Sequence, residues 1–189
     1  MTTTTLTLSV SSGDCYFFPP SGDIWTNLTN IDFGKAGTAS KNCWLPFTVA
    51  LGKHIPIVSA TLKLVAKDNG SNTTVKIKVG CEAADNPSDP TTIADAASRT
   101  LTTAYLTNNN VAAWTAGTEY TFDITTAVQE ILNRAGWASG NKLGVMILDN
   151  GSSDGAARSF AALEHASYAE AKLEIVYYNG GQVIIFESE

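Results

Sequence analysis

The chain has 189 residues, 44% of them hydrophobic and 16% charged, and a formal net charge of -6. That length suits one large domain or two small ones, with a core large enough to need no disulfide or metal staple. The acidic balance and the scattered Lys and Arg residues exclude nucleic acid and anionic membrane surfaces as expected partners.

The opening MTTTTLTLSV has neither a basic n-region nor a continuous apolar core, so it does not read as a signal peptide. No apolar run approaches membrane-spanning length. The expected product is made and left in the cytosol, or leaves it by assembly or lysis. Over residues 4–10, Leu6, Leu8 and Val10 alternate with Thr and Ser, which predicts a half-buried strand. Residues 15–18 form a second apolar run closed by Pro19 and Pro20. Residues 21–41 are rich in Gly, Asn, Thr and Asp but carry Trp25, Leu28, Ile31 and Phe33, so a packed loop or pair of short strands is expected. Residues 43–51 read as a buried strand in which Pro46 favours an edge or a bulge.

Residues 60–66 alternate as a strand, Asp68-Asn69-Gly70 signals a turn, and residues 73–79 answer as the return strand of a hairpin. Residues 82–120 form the long irregular part. Asp85, Asp89 and Asp95 offer oxygen ligands for a structural calcium at a spacing unlike the EF-hand. A solvated polar loop is the simpler reading, and no other cofactor is expected. Trp114 and Tyr120 are expected to fasten the end of this loop.

Residues 125–135 carry the clear helix signal. Thr126 and Gln129 match a capping box, and Val128, Ile131 and Leu132 make one apolar face. Arg134 suits the last turn and Gly136 offers a left-handed stop. About ten residues of helix are marginal alone in water, so this face must lie on a larger body. Trp137 reads as a second anchor. Residues 143–148 predict a central strand and residues 171–178 the last long one. Asn179-Gly180-Gly181 then leads to a short strand at 183–186.

Many short strands with turn signals predict an all-β fold: an antiparallel, jelly-roll-like β-sandwich with one short α-helix at about 125–135. One domain over 1–178 with an extension at 179–189 is the simplest organisation. Cys15, Cys43 and Cys81 are an odd set with no C-x-x-C, which argues against a zinc site or a disulfide framework. Three buried thiols are expected, with a Cys15–Cys43 bridge as the alternative.

The run VQEILNRAGWASGN at 128–141 resembles a motif of β-sandwich modules of the DNRLRE and carbohydrate-binding-module group. The likeness extends through 83–104, 112–125 and 157–178, and upstream through 30–37 and 44–66, so the module core is about 10–178. Two places depart from the pattern: Ile57-Val58-Ser59 before Ala60, and an additional Leu163-Glu164-His165. Such modules occur in bacterial surface proteins and in virion proteins of tailed phages. The resemblance implies a jelly-roll sandwich with a structural or binding role, and it carries no catalytic residue across.

His54 and His165 lie in a turn and a loop, away from any G-x-S-x-G motif. Glu119 and Glu130 can be imagined as a glycosidase pair, but Glu130 reads as an exposed helix position. The chain is therefore expected to be a non-enzyme. Trp44 and Trp137 sit in apolar segments and read as core. Trp25, beside Gly22 and Asp23, is the candidate for stacking on a sugar ring. Leu6 and Leu8 at one end and Val183, Ile184, Ile185 and Phe186 at the other are candidate assembly contacts, because an extended tail can add a strand to a neighbour's sheet. Folding back on their own sandwich is the equal alternative. The leading expectation is a phage virion structural protein, a capsid decoration or accessory protein bound to other virion proteins or to copies of itself. The alternative is an extracellular glycan-binding module of lectin or adhesin type.

Overall fold

Period-two alternation does place strands where it predicts them, but it does not say which strands pair. The computed structural model describes residues 2–10, 12–20, 22–70 and 74–179. Its strands are β1 (Thr2–Ser9), β2 (Cys15–Phe17), β3 (Ile24–Thr26), β4 (Asn30–Ala36), β5 (Ala39–Thr48), β6 (Ile57–Val65), β7 (Ile77–Cys81), β8 (Leu106–Asn108), β9 (Glu119–Asp123), β10 (Lys142–Asp149), β11 (Ala157–Ala161) and β12 (Lys172–Asn179). The helices are α1 (Ile93–Ser98) and α2 (Thr125–Leu132). The candidate strand at 183–186 lies outside the described residues. Among the described residues, no helix is long and apolar enough to cross a membrane.

The strands form two antiparallel sheets. The smaller has the order β1-β12-β6-β9, and the larger runs β11-β4-β5-β10-β7-β8 with the β2–β3 hairpin attached to β5. The inward row of β6 (Ala60, Leu62, Leu64) faces the same core as Ile77, Val79 and Cys81 of β7 and Leu143, Val145 and Ile147 of β10. This is the expected all-β sandwich.

The expected 60–66/73–79 hairpin is not formed. β6 pairs with β12 and β9 in one sheet, while β7 pairs with β10 and β8 in the other. A turn signal specifies a local reversal, not a partner. Here the chain crosses from one layer to the other, and both apolar rows meet across the core.

Pro46 was expected at an edge or bulge, yet β5 lies inside the larger sheet. Val49 N–H donates to Asn141 at 3.1 Å. By alternation Phe47, Leu45 and Cys43 also face β10, so the residue without an N–H faces the other side. On that side the registered pairing of β2 with β5 ends at Cys15↔Trp44. The proline is thus central in the sheet but local in its demand.

Helix α2 closes the end of the sandwich. Its Ala127, Val128, Ile131 and Leu132 are buried in the core shared by the two sheets. The expected capping box is absent, because the helix starts two residues early, with Ile124 rather than Thr126 as N-cap and no side-chain cap. Asp123 instead accepts from Thr125 N–H at 2.9 Å. Gln129 reaches away from the helix end, accepting from Ile57 N–H at 2.9 Å and donating to the Ile55 carbonyl at 3.1 Å. It thereby ties the start of β6 to the helix. Gly136 does not adopt a left-handed conformation. It leaves room for the Asp85 carboxylate, which a Cβ would strike. Trp137 is the expected anchor: it is buried and donates to the Leu51 carbonyl at 3.0 Å.

The irregular stretch hides the second helix. Thr92 Oγ1 accepts from Asp95 N–H at 3.1 Å and caps α1. Ala96 of this helix packs with Cys15, Phe17, Trp44 and Met146 on the outer face of the larger sheet. The stretch is therefore a cover over that face rather than a solvated loop. Trp114 and Tyr120 do fasten its end, stacked at 4.8 Å with an interplanar angle of 11°.

Trp44 has its indole directly over Gly144 of β10, so a Cβ there would collide with Nε1. Gly144→Ala is expected to cost about 1–3 kcal/mol through overpacking. The check is a lowered urea midpoint with an unchanged m-value.

Candidate functional site

Two surfaces stand out, one aromatic and one made of backbone. The first begins on the β2–β3 hairpin, whose register sets Tyr16 opposite Trp25. Their rings stack at 6.4 Å and 11°, and Trp25 stays 45% exposed. Phe18 meets Tyr16 edge-on at 5.6 Å. Lys41 from β5 holds its ammonium 5.4 Å from the Tyr16 ring centroid and 5.7 Å from that of Phe18. The same ammonium pairs with Asp32 of β4 at 2.6 Å. Asn30 then donates to Asp32 at 3.0 Å and to Ser159 at 3.2 Å. Asn30, Asp32 and Ser159 line a shallow polar recess together with Lys67, Asp68, Asn69 and Arg158. The contacts thus run as one strip from an exposed indole to a cluster of amide, carboxylate and hydroxyl groups. Burial, helped by the nearby Asp32 carboxylate, pushes the Tyr16 phenol up. Tyr16 stays neutral and able to donate.

Arg158, which also lines the recess, is buried, and among the described residues it pairs with no acid. It donates to the carbonyls of Ala112, Val111 and Ala157, each at 3.0 Å. Burial pulls its guanidinium down from the usual arginine range. Its role is to clamp the chain around residue 111 to β11.

The second surface is the outer edge of β1. This strand pairs with β12 from Thr2↔Asn179 to Ser9↔Lys172 in unbroken register, and nothing pairs on its other side among the described residues. Val10 N–H donates to the Ala171 carbonyl at 2.9 Å. By alternation the even residues face β12, and Thr3, Thr5, Thr7 and Ser9 turn their N–H and C=O groups outward. Leu6 is partly buried against the core, so this end of the chain folds onto its own sandwich. Leu8 lies opposite Leu173 in the same ladder.

The three candidate calcium ligands are not brought together. Asp85 pairs with Arg134, Asp89 with Lys142 and Asp95 with Arg99. Arg99 holds the Asp95 carboxyl below its ordinary range. Among the described residues, no three His, Cys, Asp or Glu side chains gather as a cation cage. Asp89–Lys142 ties the covering stretch to β10 of the larger sheet, Asp85–Arg134 ties it to the chain after α2, and Asp95–Arg99 braces it internally. Arg99 also bonds Glu82 at 2.9 Å and lies 5.2 Å from the Trp44 ring centroid, while Trp44 Nε1 donates to Glu82 at 2.7 Å. Arg134 and Lys142 sit far from Asp85 and Asp89 in sequence, so spacing did not reveal them, whereas Arg99 is the i,i+4 neighbour of Asp95 at the end of a helix that the sequence reading missed.

The remaining candidates have structural partners. Glu130 is half-buried and accepts from Thr103 and Ala104 N–H, both at 2.9 Å, so it is not the free helix position expected. Glu119 is exposed on β9. His54 N–H donates to Leu132 at the helix end. His165 Nδ1 accepts from Ser167 and Tyr168 N–H at 3.2 and 2.9 Å, and its ring stacks on Tyr168. All three cysteines are free and buried. Cys15 packs on the outer face of the larger sheet and Cys43 in the inner core, so the alternative bridge does not form.

One buried acid was not singled out by sequence. Asp14 is 1% exposed and accepts from Leu163 N–H at 3.1 Å. Burial, with a further contribution from Glu164, pushes its carboxyl up to about 6. Comparison with protein-family models and with curated protein sequences finds no match.

The Asp14 carboxyl binds its proton more tightly folded than unfolded, where 3.8 applies. Stability therefore rises as pH falls through about 6 and is reduced above it, by at most about 3 kcal/mol. Asp14→Asn keeps an oxygen for Leu163 and removes the titration. The wild type should gain on this variant between about pH 7.5 and about pH 5, read from paired thermal melts.

Proposed function

We propose that this chain is a non-enzymatic structural protein of a phage particle, a surface-exposed decoration or accessory protein. It acts by joining its sheet edge to other virion proteins or to copies of itself. The observation that carries the reading is the β1 edge. Proteins normally blunt long edge strands with charges, prolines, bulges or short length. β1 has eight residues, TTTTLTLS, with no charge and no proline among them. The other edge strands are short, charged or engaged: β8 and β3 have three residues each, β9 is bounded by Glu119 and Asp123, and β11 is bridged through Phe160 to Ala66 and bonded by Lys67 N–H. An edge left open in this way suits a protein whose work is assembly. The resemblance of residues 128–141 to modules found in virion proteins supports the same reading, and the virion is the location it implies.

The decisive measurement is the protein content of purified particles from the producing source. The chain should appear by mass spectrometry in a fixed copy ratio to the major capsid protein. Intact particles that lack it would overturn the proposal.

The aromatic strip favours a second reading, a lectin-like or adhesin-type glycan-binding module, free or on an extracellular surface. The Trp25 indole offers a flat face for the C–H side of a pyranose, and Asp32, Asn30 and Lys41 offer hydrogen bonds beyond it. On a glycan array, Trp25→Ala should lower binding by at least about tenfold while the melting temperature stays unchanged. Equal binding by the variant and the wild type would remove this reading.

A further inference from the structure

The open edge raises the question of what fills it, and the chain itself carries a segment of the right kind. After Asn179 come Gly180, Gly181 and then Gln182-Val183-Ile184-Ile185-Phe186. Four consecutive apolar, mostly β-branched residues favour a strand and cost free energy when left in water.

That segment has no place beside β12. One flank of β12 is paired with β1 over its full length, and the other with β6 from Lys172↔Lys63 to Tyr177↔Ile57. A hairpin back onto β12 is therefore closed on both sides. The outer edge of β1 in the same sheet is also a poor match. A chain reversing after Asn179 would have to step past β1 to a position about 10 Å from β12, and two glycines cover that distance only when fully extended, with no length left to turn into the strand direction. Only two glycines separate Asn179 from Gln182. A second molecule carries no such constraint, because its tail can approach the edge antiparallel.

We propose that the segment 182–186 of one copy adds as an antiparallel strand to the outer edge of β1 in a second copy. The outward N–H and C=O groups of Thr3, Thr5, Thr7 and Ser9 then gain partners. Alternation sends two of the four apolar residues toward the inner layer, beside the half-buried Leu6. The contact is heterologous: donor and acceptor are different parts of the chain, so copies exchange tails in a dimer, close into a ring where the rotation allows it, or run on as an open filament where it does not. This rests on the proposed assembly role and names its partner as the chain itself.

The test uses two classes of variant in the full chain. Thr5→Pro and, separately, Thr7→Pro remove an outward N–H without touching the β12 ladder, so the edge is blocked and the donor kept. Ile184→Pro spoils the donor and keeps the edge. In sedimentation velocity the wild type should self-associate, and each variant alone should be monomeric, with affinity lowered at least about tenfold. Circular dichroism identifies an edge variant that fails to fold, and the other edge variant and Ile184→Pro then carry the test. Mixing an edge variant with the donor variant should restore a one-to-one complex. A monomeric wild type, association surviving either class of variant, or a mixture that stays monomeric would overturn the inference. Presence in particles is read separately, so a chain found there yet monomeric in solution refutes only this inference. One that self-associates but is absent from particles refutes only the proposed function.

Discussion

Contact of one short helix with both sheets is the constraint on which the rest depends. Two stacked antiparallel layers bury their inner rows well along the middle but leave the ends of the core open. Ala127, Val128, Ile131 and Leu132 fill one such end. The helix owes its position to tertiary bonds more than to its own caps. Thr125 Oγ1 accepts from Ala60 N–H at 2.9 Å and Gln129 grips the start of β6. Trp137, just beyond, is bound to the Leu51 carbonyl. An eight-residue helix without an N-terminal side-chain cap is not self-supporting. Its order is borrowed from the sheets, and it returns the favour by excluding water from between them.

The outer face of the larger sheet shows a second use of the same logic. Trp44 is too large and too apolar to be left in solvent, and it is covered by α1, Arg99 and Glu82. Ion pairs anchor that cover at two points, to the chain after α2 and to β10, and a third braces α1 internally. The aspartates of these pairs are partly exposed, so solvent screens them and they act less as a source of net stability than as a means of fixing one arrangement of the stretch.

Most of the strands could be read from the sequence, because a half-buried strand must alternate and Leu6, Leu62, Leu64 and Leu173 do so. Their pairing could not be read, because alternation is silent about partners. The Asp68-Asn69-Gly70 signal therefore suggested a hairpin where the chain changes layers. Helix α1 was missed because six residues give too short a window for a period of 3.6, although Thr92 and Asp95 were a visible cap. Gln129 fitted a local motif and was claimed by a more distant backbone. Trp25, expected within a packed stretch and set apart as a sugar-stacking candidate by its Gly and Asp neighbours, is 45% exposed. The Lys41–Asp32 pair and the Asp14–Leu163 contact join residues from separate elements, and no local pattern encodes them.

The placement of the cysteines has a consequence for where the molecule can work. Cys15 and Cys43 sit on adjacent strands one residue out of step, so their sulfur atoms are held on opposite sides of a sheet. Burial pushes the Cys15 thiol up to about 12 and drives those of Cys43 and Cys81 well above their ordinary value. Little thiolate exists at neutral pH to attack an oxidant or a mixed disulfide. Such a molecule has the same covalent structure in a reducing cell interior and in air-equilibrated surroundings. Neither setting calls for oxidative maturation, or for a reductant to keep these thiols unpaired.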